Sequence, residues 1–331
     1  MNALLANTLG KLAGLLFSAG SPFSLLSLLA ALTLALAFLG YRRLARGRRL
    51  RLAVLIRALF PRRMLWSASM RADLGLMAFN VFAFGLLLGW TMLSYPAASA
   101  FAQHALADAL GPRAPAPIGP GWRSAILTVT LFIAYEFGFW ADHWLSHKVP
   151  VFWAFHKTHH AAETLTPVTN FRVHPVEGIK FANILALSLG LADAAAHYLL
   201  GAPADPATLA GRNVILLAFL MLVAHLQHTH LWIAFTGAWG KLFISPAHHQ
   251  LHHSADPAHF GTNLGSYLAV FDWLFGTLRV PERKRERLSF GVAPVHAAQH
   301  SPAGVMLAPF AEAAEVLICA MPTRRAVPEE A

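Results

Sequence analysis

Long apolar runs separated by short polar segments dominate the hydrophobic pattern of this chain. Residues 22–40, 74–94 and 123–140 each approach the length of about 20 helical residues that crosses the ~30 Å hydrocarbon core of a bilayer. A later pair of runs, 178–200 and 213–233, is separated by a turn rich in alanine and proline. This pattern predicts an all-α integral membrane protein with about four transmembrane helices.

The segments between these runs differ in composition. Residues 3–19 are apolar but interrupted by polar residues and glycine, so they either cross the membrane or lie in its interface. Residues 41–63 mix arginine with leucine, which is typical of a helix on the membrane surface. Residues 95–122 contain five prolines and three glycines and are predicted to form a loop on the opposite side. We expect the apolar stretch 305–320 to lie in the interface.

Composition and charge support a membrane-embedded unit. Of the 331 residues, 56% are apolar and 13% are charged, and this charged fraction is about half of the usual ~25% for a soluble domain. The net charge of +10 is compatible with nucleic-acid binding, but nine arginines fall between Arg42 and Arg63, directly after an apolar run. Such a cluster beside a span indicates the cytoplasmic side of a membrane and contact with anionic headgroups, and it argues against a nucleic-acid partner.

Three histidine clusters carry the chemistry that the sequence suggests. The clusters are His143 with His147, His156 with His159 and His160, and His249 with His252 and His253. Side chains three or four residues apart lie on one face of a helix, so each cluster can direct two imidazoles at one point. Imidazole is the commonest side-chain metal ligand. Eight imidazoles exceed what one tetrahedral zinc ion binds, which indicates two metals.

The remaining composition restricts the metal. Cys319 is the only cysteine, so neither an internal disulfide nor a thiolate metal cluster is possible. Many imidazoles with few carboxylates disfavour magnesium and calcium and suit iron, zinc, copper or nickel. The absence of His-Glu-x-x-His disfavours an intramembrane zinc protease. The predicted spans bring every cluster to the arginine-rich face, where a dinuclear iron site beside an apolar cavity indicates oxygen activation on a lipid.

The order of these clusters resembles the membrane-bound fatty acid hydroxylase and sterol desaturase superfamily. The similarity extends over residues 120–280 and includes three further motifs, Asn170-Phe-Arg172-Val-His174-Pro175-Val-Glu177, Ser245-Pro246 and Phe271-Asp272-Trp-Leu-Phe275-Gly276-Thr277. The resemblance implies a non-haem centre of two iron ions, O2 as the oxidant, and electrons from a separate electron-transfer protein or reductase.

Carried over by position, the resemblance implies nine metal ligands. They are His143, His147, His156, His159, His160, His228, His249, His252 and His253. Related sequences often have asparagine where this chain has His230, and the role of His230 stays open. Phe271-Asp272 stands for the usual Trp-Asp, and Asn263-Leu264-Gly265 for the usual Asn-Tyr-Gly, differences that we associate with the substrate rather than the metal.

The resemblance also implies an organisation and an activity. Residues 1–122 would be membrane-anchoring helices and a loop, residues 123–281 the catalytic region with a cytoplasmic histidine-rich helical cap that holds the dinuclear site, and residues 282–331 an interfacial tail, all in one structural unit. The expected enzyme is a lipid monooxygenase or desaturase that attacks a C–H bond of a sterol, a fatty acyl chain or a related lipid. An alkylglycerol-type ether-lipid monooxygenase is an alternative within the superfamily. A metal transporter is the non-enzyme alternative, but it would need ligands at mid-bilayer.

Carboxylates and the remaining histidines supply further candidates. Glu136 shares one helical stripe with His143 and His147, so we expect it below the metals, where it contacts a ligand histidine, lines the substrate tunnel or pairs with another polar group. The candidates to accept a hydrogen bond from a metal-bound imidazole are Asp142, Glu163 and Asp272. Glu163 is the first choice if a carboxylate binds iron directly. His174 and His225 have either a site role or a local structural one. Five histidines are interpreted as solvated or structural: His104, His248, His259, His296 and His300.

Overall fold

Helices make up most of the computed structural model, which describes residues 2–18, 20–21, 23–293 and 297–320. The first seven α-helices are α1 (Asn2–Phe17), α2 (Leu25–Leu44), α3 (Leu52–Leu59), α4 (Arg62–Leu65), α5 (Ala68–Phe79), α6 (Gly85–Leu88) and α7 (Tyr95–Leu110). The next nine are α8 (Pro120–Lys148), α9 (Pro150–His160), α10 (Pro175–Leu200), α11 (Val214–Leu222), α12 (Ala224–Gln227), α13 (Gly237–Leu242), α14 (Pro246–His252), α15 (Val270–Leu274) and α16 (Pro302–Ala320). Two short strands, β1 (Thr208–Leu209) and β2 (Arg212–Asn213), pair antiparallel. The prediction of a helical protein is confirmed.

Short irregular helices connect several of these elements. A π-helical turn at Asn80–Phe84 lies between α5 and α6, and a 3₁₀ turn at Gly89–Thr91 lies between α6 and α7. Further 3₁₀ turns lie at Pro167–Phe171, Pro257–His259 and Ala297–His300. His296 and residues 321–331 of the predicted tail lie outside the described residues.

Five helical segments within the described part of the chain are long and apolar enough to cross a membrane. They are Leu25–Leu44, Ala68–Leu110, Pro120–Lys148, Pro175–Leu200 and Pro302–Ala320. The predicted span at 213–233 differs, because its helical part is the shorter apolar segment Val214–Gln227, which is interrupted at Val223. The stretch predicted to be interfacial near the C-terminus is long enough to span.

The predicted loop 95–122 is wrong over its first half, which forms α7. The Ser94 hydroxyl accepts a hydrogen bond from the Ala97 amide at 3.3 Å and so caps the helix N-terminus. Pro96 occupies the first turn, where its missing N–H costs nothing. Gly111, with φ of 74°, ends the helix in the left-handed region that favours glycine. The connection to α8 therefore begins at Gly111.

Helix α10 lies between α7 and α8 and packs closely against both. A Cβ atom at Gly190 would lie 2.6 Å from Ala98 Cβ and 2.8 Å from the Ser99 amide nitrogen of α7. A Cβ atom at Gly138 of α8 would lie 2.9 Å from Ser188 Cβ of α10. Small residues at such crossings allow close backbone approach, as in membrane helix pairs. This packing brings the last turns of α8 and the first turns of α10 to the same end of the bundle.

The histidine-bearing elements gather at that end. Helices α9 and α14 each begin with proline in the first turn, which favours initiation of a helix directly after a turn. Helix α16 packs against α9, with Phe155 and Phe310 ring centroids 5.3 Å apart. The arginine-rich segment lies at this same end, because Leu59 of α3 packs against Leu231 and Ala35.

Candidate metal centre

Nine histidines converge in two neighbouring groups at this end of the bundle. We name them group 1, which consists of His143, His147, His156, His160 and His252, and group 2, which consists of His159, His228, His249 and His253. Within each group the candidate ligand atoms all lie within 4.8 Å of one another. The groups adjoin, since the ring centroids of His160 and His253 are 4.6 Å apart. These nine are the histidines that the sequence predicts as ligands.

Helix geometry divides each three-histidine cluster between the two groups. On α9, His156 and His160 are four residues apart and point into group 1, whereas His159 points into group 2. On α14 and its C-cap the arrangement is reversed, because His249 and His253 enter group 2 and His252 enters group 1. Helix α8 adds His143 and His147 to group 1. His228, which follows the end of α12, completes group 2.

The distances between imidazole nitrogens fit bound cations. In group 2, His228 Nε2 lies 3.1 Å from His159 Nε2, 3.0 Å from His253 Nε2 and 2.8 Å from His249 Nε2. One nitrogen cannot form three mutual N–H···N bonds, since a neutral imidazole has one donor and one acceptor nitrogen. Ligand nitrogens around one tetrahedral ion at 2.0–2.1 Å would lie roughly 3.3 Å apart. The arrangement therefore suits a shared metal better than a hydrogen-bonded cluster.

Several imidazoles are oriented through their outer nitrogens. His143 Nδ1 donates to the Leu264 carbonyl at 2.8 Å and His252 Nδ1 to the Thr262 carbonyl at 2.9 Å. These bonds fix the Nδ1–H tautomer and leave Nε2 free to bind a metal. Among the described residues, the Nε2 atoms of both histidines are buried without a hydrogen-bond partner. Such buried acceptors are costly unless a ligand satisfies them.

Burial keeps these side chains in the neutral form that binds metal. Desolvation is the main cause that lowers the pKa of His159 to about 4 and that of His252 to about 3. The pKa values of His160, His228, His249 and His253 are lowered well below the usual value, first by burial and then by neighbouring imidazoles. All six are therefore uncharged at neutral pH and available as ligands.

The predicted carboxylates differ in how they contact the histidines. Asp272 accepts hydrogen bonds from the Leu264 and Gly265 amides at 2.8 Å each and from the Thr277 hydroxyl at 2.6 Å. Burial raises the pKa of Asp272. Because the Leu264 carbonyl accepts the His143 hydrogen bond, Asp272 supports that imidazole through the backbone.

Glu136 contacts the loop that also contains Leu264. Among the described residues, no histidine forms a hydrogen bond with Glu136. Its Oε2 accepts hydrogen bonds from the Tyr267 amide at 3.0 Å and the Leu268 amide at 2.7 Å. Of the three expected arrangements for Glu136, the structure therefore has the pairing with other polar groups. The side chain fixes the loop that begins at Leu264 against α8.

Glu163 and Asp142 are not in hydrogen-bond contact with either group. The Glu163 side chain is 42% exposed and lies 3.2 Å from His300 Nε2, so the structure does not place this first-choice carboxylate beside the imidazole nitrogens of either group. Asp142 forms an ion pair with Lys180. Sequence reasoning missed Glu177, whose buried carboxylate accepts a hydrogen bond from His156 Nδ1. The available signal for Glu177 was its position at the end of the Asn170–Glu177 motif, in the first turn of α10.

The remaining histidines contact other parts of the structure. His174 caps α10, accepting from the Val176 amide at 3.2 Å, and its other nitrogen donates to the Met306 carbonyl at 3.1 Å. His225 lies 3.2 Å from the Ser27 hydroxyl, and His230 donates to the Ala58 carbonyl at 2.7 Å. His248 contacts Ser245 and the Gly240 carbonyl and is fully buried, so it is structural rather than solvated. His104 is exposed, His259 lies 3.7 Å from Glu286, and His300 contacts Arg172.

Two cavities flank the histidines. A mostly apolar cavity of about 380 Å³ lies between α8, α10 and α11 and is lined by Tyr135, Phe139, Phe181 and Leu220 together with histidines of both groups. A second cavity of about 590 Å³ reaches His147, His160, His252 and His253 from the other side and is bounded by Trp153, Phe260 and residues 291–293. The first is bounded by helices of the bundle, and the second by α9 and the loops around Phe260 and residues 291–293. The site can thus be approached from two sides.

Comparisons with known proteins identify the region that carries this site. Residues 128–277 match the fatty acid hydroxylase family. The chain is 30% identical over 162 residues to the ornithine lipid hydroxylase OlsE from Rhizobium tropici, covering 49% of this chain and 44% of that protein. It is 30% identical over 173 residues to a Δ7-sterol 5(6)-desaturase from Aspergillus fumigatus, covering 49% of this chain and 51% of that protein. Human alkylglycerol monooxygenase is 25% identical to the chain over 174 residues, covering 52% of this chain and 34% of that protein.

The matches therefore span about half of this chain and a third to a half of each relative. No solved structure matches the chain. The matched region contains all nine histidines of groups 1 and 2 and the carbonyls of Thr262 and Leu264 that the outer nitrogens of His252 and His143 contact. The family match and these relatives support the resemblance of residues 128–277 to the fatty acid hydroxylase and sterol desaturase superfamily that the histidine pattern predicts.

Proposed function

We propose that the chain is an O2-dependent, di-iron membrane oxidoreductase that hydroxylates or desaturates a C–H bond of a lipid. The observation that carries this proposal is the convergence of nine imidazoles, eight of them buried and His147 half-buried, in two adjoining groups beside an apolar cavity. Groups 1 and 2 would each bind one iron ion, an assignment supported by a donor set of imidazoles without thiolates. The relatives include a lipid hydroxylase, a sterol desaturase and an alkylglycerol monooxygenase.

When bound, the two irons would supply the O2-derived oxidising power that breaks an unactivated C–H bond. Hydroxylation consumes one O2, two electrons and two protons and yields an alcohol and one water. Desaturation consumes the same reagents, removes two hydrogens from adjacent carbons and yields an alkene and two waters. Both balances require an external two-electron supply, so a separate electron-transfer protein or reductase belongs to the proposal.

The protein's own residues would position the lipid and the ligands. Tyr135, Phe139, Phe181 and Leu220 would hold an apolar chain against the histidines and exclude bulk water. Leu264, Thr262 and Glu177 would keep the imidazoles oriented with Nε2 inward. Electrons and protons would reach the histidines through the second cavity, which is bounded by Trp153, Phe260 and residues 291–293. The arginine-rich segment Arg42–Arg63 lies at this end, which supports a cytoplasmic location of the cap.

Metal analysis of the detergent-purified protein tests the proposal. We expect about two irons per chain, reductant-dependent O2 uptake on a mixed lipid extract, and an oxidised lipid by mass spectrometry. His159→Ala should lose iron and uptake, because it removes a nitrogen of group 2. Two zinc ions without uptake, even after reconstitution with iron, would contradict the proposal and favour a transporter.

An alkylglycerol-type monooxygenase is the second candidate, supported by the similarity to the human and Xenopus tropicalis enzymes of that name. The same assay separates the two reactions. An ether lipid among the consumed substrates, with a pterin rather than a protein as the effective reductant, would favour this candidate.

A further inference from the structure

His228 occupies an unusual position among the proposed ligands of group 2. It contacts all three other members of the group at 2.8–3.1 Å. His159 and His249 lie on helices, and His253, the C-cap of α14, keeps helical backbone angles. His228 is the C-cap of α12 and has left the helical conformation, with φ −88° and ψ 74°. Its Nδ1 has no hydrogen-bond partner among the described residues. Neither a helix nor an outer hydrogen bond therefore fixes this imidazole.

The segment that follows is held from one side by α14. Gln250 Nε2 donates to the carbonyls of Thr229 and Leu231 at 2.8 Å each. The Ala247 amide donates to the Ile233 carbonyl at 3.1 Å. These bonds attach residues 229–233 to the helix that carries His249.

The other side of the segment is covered by α2 and α3. Leu231 is 6% exposed and packs with Ala35 of α2 and Leu59 of α3, and Leu226 and Ile233 border the same cluster. His230 donates from Nε2 to the Ala58 carbonyl at 2.7 Å. The last carbonyls of a helix lack partners within that helix, so His230 caps the C-terminal end of α3.

We propose that α2 and α3 are a positioning device for the group 2 metal, and that His230 and Leu59 are its positioning residues. The inference rests on the proposed metal centre. Residues 25–59 lie outside the matched region 128–277, so this assigns a role at the site to helices that the family match does not include. The His230–Ala58 hydrogen bond and the Leu59–Leu231 contact determine where the backbone of residues 228–231 lies, and thereby where His228 Nε2 points.

Cobalt(II) titration of the purified, metal-free full-length protein tests the inference. The wild type should bind two Co²⁺ ions, and His249→Ala and His147→Ala should identify the spectral bands of groups 2 and 1. His230→Ala and Leu59→Ala should each weaken the group 2 ion by about 10–100-fold and leave the group 1 ion unchanged, since supporting partners of ligands typically contribute that much. His230→Gln, which retains a donor for the Ala58 carbonyl, should restore part of the affinity.

Leu52→Ala is the matched control, because Leu52 lies on the same helix but is 63% exposed. It should bind both ions as the wild type does, and the thermal unfolding of all metal-free variants is measured alongside. If His230→Ala fails to accumulate, Leu59→Ala carries the test. Unchanged group 2 affinity and spectrum in both variants would overturn the inference while the metal centre stands. A wild type that binds no Co²⁺ would overturn the proposed function, and the inference with it.

Discussion

At the scale of single residues, Glu177 is the carboxylate that the structure adds to the site. Its carboxylate accepts the His156 Nδ1 hydrogen bond and is buried, whereas the Glu163 side chain is 42% exposed and contacts His300. We expect Glu177→Gln to lower iron affinity or turnover by about 10–100-fold, because the amide is a weaker acceptor for the Nδ1–H and orients the imidazole less well. Iron content at limiting metal and O2 uptake measure the change.

Glu163→Gln is the control for that substitution, since it makes the same chemical change at an exposed position. It should leave both measurements unchanged. If Glu163→Gln removed iron and Glu177→Gln did not, the sequence-based choice of Glu163 would be right and the assignment of Glu177 would fail.

The histidine pattern illustrates how far sequence reasoning reaches at this scale. Spacings of three and four residues both place side chains on one helical face, so the sequence predicts which histidines converge but not how they divide. The structure assigns His156 and His160 to one group and His159 to the other. That division depends on where α9 and α14 lie relative to each other, which is a tertiary property. The helical spacing likewise relates Glu136 to His143 and His147, but its partners, the Tyr267 and Leu268 amides, are distant in sequence and could not be predicted from that spacing.

At the scale of helices, Gly190 allows the close contact of α7 and α10. An added Cβ would lie 2.6 Å from Ala98 Cβ and 2.8 Å from the Ser99 nitrogen, and the backbone cannot give way as a flexible side chain would. We expect Gly190→Ala to destabilise the protein by about 1–3 kcal/mol through overpacking. Thermal unfolding in detergent with matched metal content measures the effect.

Gly75 on α5 provides the comparison, because a Cβ there would meet nothing within 4 Å. Gly75→Ala should be neutral or stabilising by up to about 1 kcal/mol, as helix propensity predicts. Equal effects of the two substitutions would mean that the α7–α10 contact is looser than the structure has it.

Helix α7 also explains an error in the sequence prediction. Counting five prolines over residues 95–122 favours a loop, but the position of each proline decides its effect. Pro96 lies in the first turn of α7, where proline is favoured, and the others follow Gly111. Helices α11 and α12 together are shorter than the apolar run 213–233 predicts, because the chain leaves the helical conformation at His228.

At the scale of the whole molecule, we expect the two ends of the bundle to face opposite sides of a membrane, because five helical segments are long and apolar enough to cross one. Ala116 at the start of the α8 connection donates to the Leu200 carbonyl at the end of α10, which marks the end far from the histidines. The segment after residue 279 lies at the histidine end, where Trp232 Nε1 donates to the Glu282 carbonyl at 3.0 Å. The distribution of arginine predicts that the histidine end is cytoplasmic, and the structure brings α3 to that same end.

Single-cysteine labelling in intact cells tests this orientation. The sole native cysteine, Cys319, is exposed and is first replaced in Cys319→Ser. In that background, Pro115→Cys reports the far end and Lys284→Cys the histidine end, and both positions are exposed. A membrane-impermeant maleimide should label Pro115→Cys in intact cells and Lys284→Cys only after permeabilisation, because the nine arginines between Arg42 and Arg63 favour retention of their side in the cytoplasm. The reverse labelling would place the histidines outside the cytoplasm, and the electron donor would then have to be sought on that side of the membrane.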